Sequence, residues 1–266
     1  AHASAAEILY ARYPALSPDG KTIAFTYRGD IWSVPATGGE ATRLTLHSAE
    51  DIMPNFSPDG QWLMFSSRRF DNYDVFIMPA SGGEARQLTR IDGEIEDFIW
   101  TPDGKSFVCV IRKTDPDVLE REKNPDLQKL GTPARHYDRV FYKLDGYGYL
   151  PKERSHLWKV NSATGKAVQL TDHPVFDETD PDLSSDGRQI VYLTNTAEDP
   201  DMFPDRTDIF TMPISGGEAK KIPTPVGGKM APKFSPDGKW IAYYGQEGEG
   251  EGWRNVNVWV VPADGS

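Results

Sequence analysis

One cysteine, five histidines and no long apolar run are what this sequence has least of, and each scarcity removes a class of function. Cys109 alone cannot form an internal disulfide, and in the run Phe107-Val108-Cys109-Val110 it reads as a buried, inert thiol rather than a nucleophile. The histidines are His2, His47, His136, His156 and His173, and no pair has the spacing of a metalloprotease helix or a zinc knuckle. No metal and no cofactor are therefore expected. No stretch reaches the apolar length needed to span a bilayer, so membrane insertion is not expected. Positive charge is short as well: 29 Lys and Arg face 40 Asp and Glu, and a net charge of −11 argues against nucleic acid and anionic membrane surfaces as partners. The opening Ala1-His2-Ala3-Ser4-Ala5 has neither an initiator Met nor an apolar signal core. It reads as the start of an export product or an added tail, which leaves the compartment open between periplasm and cytoplasm for a soluble parent.

Turn residues, by contrast, are abundant, with 24 Gly and 21 Pro, and they recur in one pattern. Ser17-Pro18-Asp19-Gly20 returns as Ser57 to Gly60, Thr101 to Gly104, Ser184 to Gly187 and Ser235 to Gly238. Aspartate bonds its own backbone and glycine accepts positive φ in each, and proline presets φ in all but Ser184 to Gly187, where Ser185 takes its place, so each is a tight turn with a mechanism. A run of β propensity follows every turn: Thr22 to Tyr27, Trp62 to Ser66, Ser106 to Ile111, Gln189 to Leu193 and Trp240 to Tyr244. A third strand comes next, at Asp30 to Val34, Asp74 to Met78, His156 to Val160, Asp208 to Met212 and Asn257 to Val261. Glycines then turn the chain into short fourth strands at Ala41 to Thr45, Ala85 to Thr89, Ala167 to Thr171 and Ala219 to Ile222.

Five repeats of four antiparallel strands, each with one bare face, point to an all-β, five-bladed β-propeller of four-stranded antiparallel blades forming one domain over residues 1–266. The blades run at about 12–45, 52–89, 95–171, 178–223 and 230–266. The fifth stops where its fourth strand should begin, so the N-terminal strand, Glu7 to Ala11, is expected to close the ring. Blade three carries an insertion at about 113–154, with helical composition at Asp117 to Leu130 limited by Pro125, and an extra strand and turn at Arg139 to Leu150.

The Ser-Pro-Asp-Gly units with Gly-Gly-Glu-Ala-x-x-Leu-Thr endings resemble the TolB and tricorn type of propeller repeat. The stretch from Arg135-His136-Tyr137-Asp138-Arg139 through Asp145-Gly146-Tyr147-Gly148-Tyr149-Leu150, Ser155-His156-Leu157-Trp158 and Gln169-Leu170-Thr171-Asp172 is similar to the N-terminal propeller of acylaminoacyl-peptidase-like members of the prolyl oligopeptidase family. Blades one and two, with Arg12-Tyr13-Pro14-Ala15-Leu16, look more like tricorn-type propellers. The peptidase resemblance implies a propeller that screens substrate for a hydrolase domain, but no Gly-x-Ser-x-Gly nucleophile elbow occurs in this sequence. Family propellers usually have more blades, so a truncated, chimeric or engineered ring is a further expectation. The function expected is a non-catalytic scaffold, at most a weak binder of a peptide or protein. The alternatives are a TolB-like interaction module of the cell envelope and a substrate-gating peptidase fragment.

Any ligand is expected on the side of the long loops: Arg68 to Tyr73, the insertion, Ala197 to Thr207 and Gln246 to Asn255. The candidate residues there are His47, Arg68, Arg69, Arg112, His173, Arg206, Trp253 and Arg254. The plain alternative for each is a solvated or salt-bridged loop residue. Acid-rich loops at 177–182, 198–201 and 247–251 lack the EF-hand spacing, so flexible acidic loops explain them without calcium. The remaining tryptophans, Trp32, Trp62, Trp100, Trp158, Trp240 and Trp259, fall in expected strands and read as packing between blades. A monomer is expected, with a strand-exchanged dimer as the alternative.

Overall fold

The computed structural model describes residues 9–70, 72–131, 134, 136–137, 139–145, 148–248 and 254–266. It is built almost wholly from antiparallel sheet. Sheet one holds β1 (Arg12–Leu16), β2 (Thr22–Tyr27), β3 (Asp30–Pro35) and β4 (Thr42–Arg43) in sequence order. Sheet two repeats it with β5 (Asp51–Phe56), β6 (Trp62–Phe70), β7 (Asn72–Pro79) and β8 (Arg86–Gln87). Sheet three begins with β9 (Gly93–Trp100) and β10 (Ser106–Lys113). The insertion follows as α1 (Pro116–Lys123), α2 (Pro125–Lys129) and the small ribbon of β11 (Lys143–Leu144) with β12 (Gly148–Tyr149). The sheet then resumes with β13 (Ser155–Asn161) and β14 (Ala167–Gln169). Sheet four is β15 (Glu178–Leu183), β16 (Gln189–Thr194), β17 (Asp208–Pro213) and β18 (Lys220–Ile222), and sheet five is β19 (Lys229–Phe234), β20 (Trp240–Gly245) and β21 (Asn257–Pro262).

The same hydrogen bonds make all five turns. The Ser or Thr hydroxyl donates to the Asp two residues on: Ser17 to Asp19 at 2.6 Å, Ser57 to Asp59 at 2.5 Å, Thr101 to Asp103 at 2.7 Å, Ser184 to Asp186 and Ser235 to Asp237 both at 2.6 Å. The same oxygen then accepts the N–H that opens the next strand, as Ser57 does from Trp62 at 2.9 Å. A second repeated device sits at the other end. Thr45, Thr89 and Thr171 each accept, at 2.9 Å, the N–H of Ile31, Val75 and Leu157 respectively, tying the end of a fourth strand to the head of the third. The first strands of sheets one, two, four and five share a bulge four residues before the turn: Tyr13, Met53, Asp180 and Ala231 have φ of 52°, 57°, 51° and 47°, and the pairing register shifts there.

The chain forms two compact units. One comprises residues up to Ile95 with Trp100–Phe107 and Val160–Ala167; the other comprises Glu96–Ile99, Val108–Lys159 and Val168–Ser266. In the first unit Ala24 and Ile31 of sheet one pack on Phe56, Leu63, Phe65, Phe76 and Met78 of sheet two. In the second, β16 shows why its run is apolar throughout. Ile190 and Tyr192 join Val108, Val110 and Leu157, whereas Val191 and Leu193 join Ile241 and Tyr243, so successive side chains enter different cores. Each such burial is worth roughly 1.5–3 kcal/mol. Cys109 is buried with them, its sulfur 3.8 Å from the Trp158 carbonyl, and burial pushes its thiol pKa up.

Three expectations change, and a fourth is given its form. Sheet five has three strands among the described residues; Leu9 to Ala11 lie in no strand, Tyr10 sits at φ 65°, and Glu7 and Ile8 fall outside the described residues, so closure by this segment is not seen. Arg68 and Arg69 lie in β6 rather than in a loop, because the β6–β7 pairing continues to Phe70 and Asn72. The helical part of the insertion, expected to be limited by Pro125, is two short helices: the first ends at Lys123 ahead of Pro125, and Asn124 caps the second. Trp62 and Trp240 are 39% and 47% exposed, each the first residue of its strand beside a turn.

Candidate functional site

In the first unit His47 is exposed in the loop after β4, and its Nδ1 accepts the Ala49 N–H at 3.0 Å. Arg68 lies over the Tyr73 ring at 4.6 Å. Arg69 turns inward: its Nε and Nη2 grip buried Asp51 at 3.3 and 2.8 Å, and its guanidinium covers Phe65 and Phe76 at 5.5 and 4.9 Å. This is a bidentate pair whose guanidinium also packs against two neighbouring rings, a structural use of arginine.

In the second unit Arg112 pairs with Glu96. The backbone N–H of Arg206 donates to the Phe203 carbonyl at 3.0 Å, and Arg254 receives Gln246 on its own carbonyl at 2.6 Å. Trp253 lies outside the described residues. His173 is exposed and stacked on Phe176 at 3.9 Å, with Nδ1 accepting the N–H groups of Val175 and Phe176 at 3.2 and 3.3 Å. It thereby shapes the wall of a cavity without entering it.

That cavity, about 220 Å³, opens where the insertion, the head of β15, the end of β16 and the 195–207 loop meet. Phe141, Val175, Phe176, Leu193, Pro200 and Pro204 give it apolar walls. Asn195 pins the loop by donating to the carbonyls of Phe203 and Pro200 at 2.7 and 3.4 Å while accepting the Ala197 N–H at 3.1 Å. Asp201 is held by Nε of Arg139 at 3.0 Å, by Nη2 of the same residue and by the Phe141 N–H at 3.3 Å. Burial opposes its ionisation, but the Arg139 hydrogen bonds and charge prevail and keep its carboxyl below the usual range. Arg154 gives Nη1 to Asp177 at 3.1 Å, and Asp177 also accepts the Ser155 N–H at 2.8 Å. The Nε of Arg154 and the hydroxyl of Thr194 are buried and have no hydrogen-bond partner among the described residues. Behind Thr207 the Lys229 ammonium donates to the Thr207 and Gly227 carbonyls at 2.7 and 2.9 Å, and burial lowers its pKa.

Among the expected ligand-side residues in the described part of the chain only His173 touches this wall; Asp177 and Asp201 are expected only as members of acid-rich loops, and Arg139, Arg154 and Thr194 are not among the candidates. A signal for Arg154 does exist. Arg28, Arg154 and Arg206 each stand two residues before Asp30, His156 and Asp208, which take corresponding positions at or next to the start of their third strands. A larger cavity of about 360 Å³ in the same unit lies among the turns, beside Asp186, Asp237 and Asp264, each of which accepts a backbone N–H from its own turn. No group of three or more His, Cys, Asp or Glu among the described residues could hold a metal ion, and no described helix is long and apolar enough to cross a membrane.

Residues 8–123 match the family described as the tricorn protease N-terminal β-propeller domain. The chain is 29% identical over 200 residues to the uncharacterized peptidase YuxL of Bacillus subtilis, covering 71% of this chain and 30% of that protein. It thus spans less than a third of that relative's length. TolB from Acinetobacter baumannii superposes with a TM-score of 0.60 at 20% identity, over 96% of this chain and 52% of that one. Pyrococcus horikoshii acylaminoacyl peptidase does so with 0.67 at 16% identity, over 94% and 38%. The chain is therefore a propeller-type domain, similar in fold to the propellers of TolB and of acylaminoacyl peptidase and similar in sequence, over its first half, to that of tricorn protease.

Proposed function

We propose that this chain is a non-catalytic propeller scaffold that weakly binds a peptide or protein segment on the side of its long loops. The observation that supports this reading is the cavity of about 220 Å³, with apolar walls and buried polar groups, at the meeting of the insertion and the 195–207 loop. The likeness to peptidase propellers favours a more specific version, in which the domain screens substrate for a hydrolase that another part of a longer protein supplies. The purified chain is expected to leave acylated and free-amino chromogenic peptides intact and to bind a fluorescein-labelled peptide with a Kd of about 0.1 mM by anisotropy. Turnover sensitive to serine-directed inhibitors would overturn the non-catalytic reading, and absence of peptide binding up to about 5 mM would overturn the binding one. Closure of sheet five by residues 7–11 belongs to the same proposal. Removing residues 1–11 is expected to lower the melting temperature; an unchanged melt removes that element alone.

A further inference from the structure

A guanidinium offers a fork on the edge carrying Nε and Nη2, and a carboxylate or carbonyl fits that edge with two parallel hydrogen bonds. Arg69 fills it with Asp51, Arg139 with Asp201, and Arg43 with the Thr45 carbonyl and Asp30. Arg154 differs. Its side chain is 9% exposed, its one hydrogen bond among the described residues runs from Nη1 to Asp177, and Nε is buried unpaired. An arginine this far from water with its fork edge unfilled is under-satisfied, and what completes it at least cost is an oxyanion. It lines the cavity together with Thr194, whose hydroxyl is likewise buried and without a partner among the described residues, so a ligand reaches these two donors by displacing the side chains that seal them.

We propose that Arg154 and Thr194 form a carboxylate site that takes the C-terminal residue of a peptide ending in an apolar side chain. The proposal rests on the peptide-binding reading above and names its ligand. At about 220 Å³ the cavity is smaller than the roughly 300–1,000 Å³ typical of drug-sized ligands, which suits one residue end rather than a chain passing through. Phe141, Val175, Phe176 and Leu193 supply the apolar side of that residue's surroundings. The lining carboxylates do not compete for the fork: Asp201 is closed by Arg139 and Phe141, and Asp177 by Nη1 and Ser155. Two arginines and two aspartates leave the lining neutral, so it carries no net charge that would repel an anion.

The test titrates the whole chain with Ac-Ala-Ala-Phe acid, the same peptide as its C-terminal amide, and Ac-Ala-Glu-Ala amide, followed by calorimetry. The free acid is expected to bind at least about tenfold more tightly than either amide, the discrimination a charge-assisted fork supplies. Equal binding of acid and amide overturns the carboxylate site while leaving peptide binding intact. Tight binding of the glutamate peptide alone moves the ligand to an acidic side chain and overturns the C-terminal assignment. No binding by any of the three overturns this inference and the broader reading together. Thr194→Val removes a hydroxyl with no partner in the free protein, so it is expected to keep the melting temperature and to weaken the acid several-fold. Arg154→Lys keeps the charge and loses the fork, and is expected to cost the acid about tenfold while leaving the amides unchanged. Undiminished acid binding by both variants would sink the proposal.

Discussion

Asp51 is fully buried, and the whole of its compensation comes from one side chain, Arg69, which also spreads over two phenylalanine rings. Arg69→Met would leave a buried carboxylate unpaired while roughly preserving the apolar contact. It is expected to cost about 3 kcal/mol, read as a lower urea midpoint at unchanged slope. An Arg69→Met, Asp51→Leu double variant should recover most of that loss, because the cost lies in the orphaned charge. The cysteine gives a second expectation at this scale. Burial pushes the Cys109 thiol well above its ordinary value of 9.0, so a disulfide reagent at pH 8 should label it only as fast as the protein opens, with no fast native phase. That Cys109 is buried was legible from its apolar neighbours. Which arginine is structural and which has an unfilled fork was not: Arg68, Arg69, Arg139 and Arg154 are alike as letters, and only the placement of Asp51, Tyr73, Asp201 and Asp177 separates them.

At the scale of elements the turns were the most legible part, because Ser-Pro-Asp-Gly contains its own hydrogen-bond acceptor, donor and positive-φ residue, and needs nothing distant. Their carboxylates make a pH prediction. Asp19, Asp59, Asp186 and Asp237 are held below the ordinary 3.8, first by the hydroxyl of the turn Ser and then by backbone N–H groups. The unfolded chain therefore takes up protons before the folded one as pH falls. Their stabilisation is present above about pH 4 and is lost as pH drops through the lowered folded values. Buried Asp74 and half-buried Asp97 shift the opposite way, chiefly by desolvation, and offset part of the loss. The urea midpoint is expected to be level between about pH 5 and 7 and to fall below about pH 4, with a shallower fall in Asp59→Asn. A steeper one would contradict the turn assignment. What the sequence could not show was how far a hairpin runs. The β6–β7 pairing outlasts its apolar stretch because Arg69 carries a paired charge there, and hydropathy alone reads that as loop. A close approach is equally invisible. A Cβ on Gly165 would stand 2.0 Å from the Leu88 carbonyl oxygen, whereas one on Gly216 meets nothing within 4 Å. Both have positive φ, so Gly216→Ala should cost about 1 kcal/mol and Gly165→Ala more than about 2 kcal/mol, a difference that thermal melts resolve.

For the molecule as a whole, five repeats were countable from the turns, and the sheets they announce are there. How each sheet face is covered was not countable, since coverage depends on neighbours that no local pattern encodes. Sheet five shows the difference. Ile241, Tyr243 and Val261 pack toward the core shared with sheet four. The opposite face carries the register-paired row Met230, Tyr244 and Val258, which are 49%, 52% and 68% exposed, with Val260 beside them. Solvated apolar residues in a row are an interaction surface, or an aggregation liability, unless some segment covers them. The expected closing segment, residues 7–11, would approach this same sheet at its β21 edge, so a substitution there separates the two situations. If the face is open as described, Val258→Lys replaces a solvated side chain by another and is expected to change stability by less than about 0.5 kcal/mol while raising solubility. If a strand or sheet covers it in solution, the same substitution buries an ammonium group without a partner and should cost at least about 2 kcal/mol. A denaturation curve of this one variant, read beside the chain lacking residues 1–11, decides between them. A loss in Val258→Lys that disappears in the shortened chain identifies the covering segment, and a loss that persists there assigns the cover to something other than the first eleven residues.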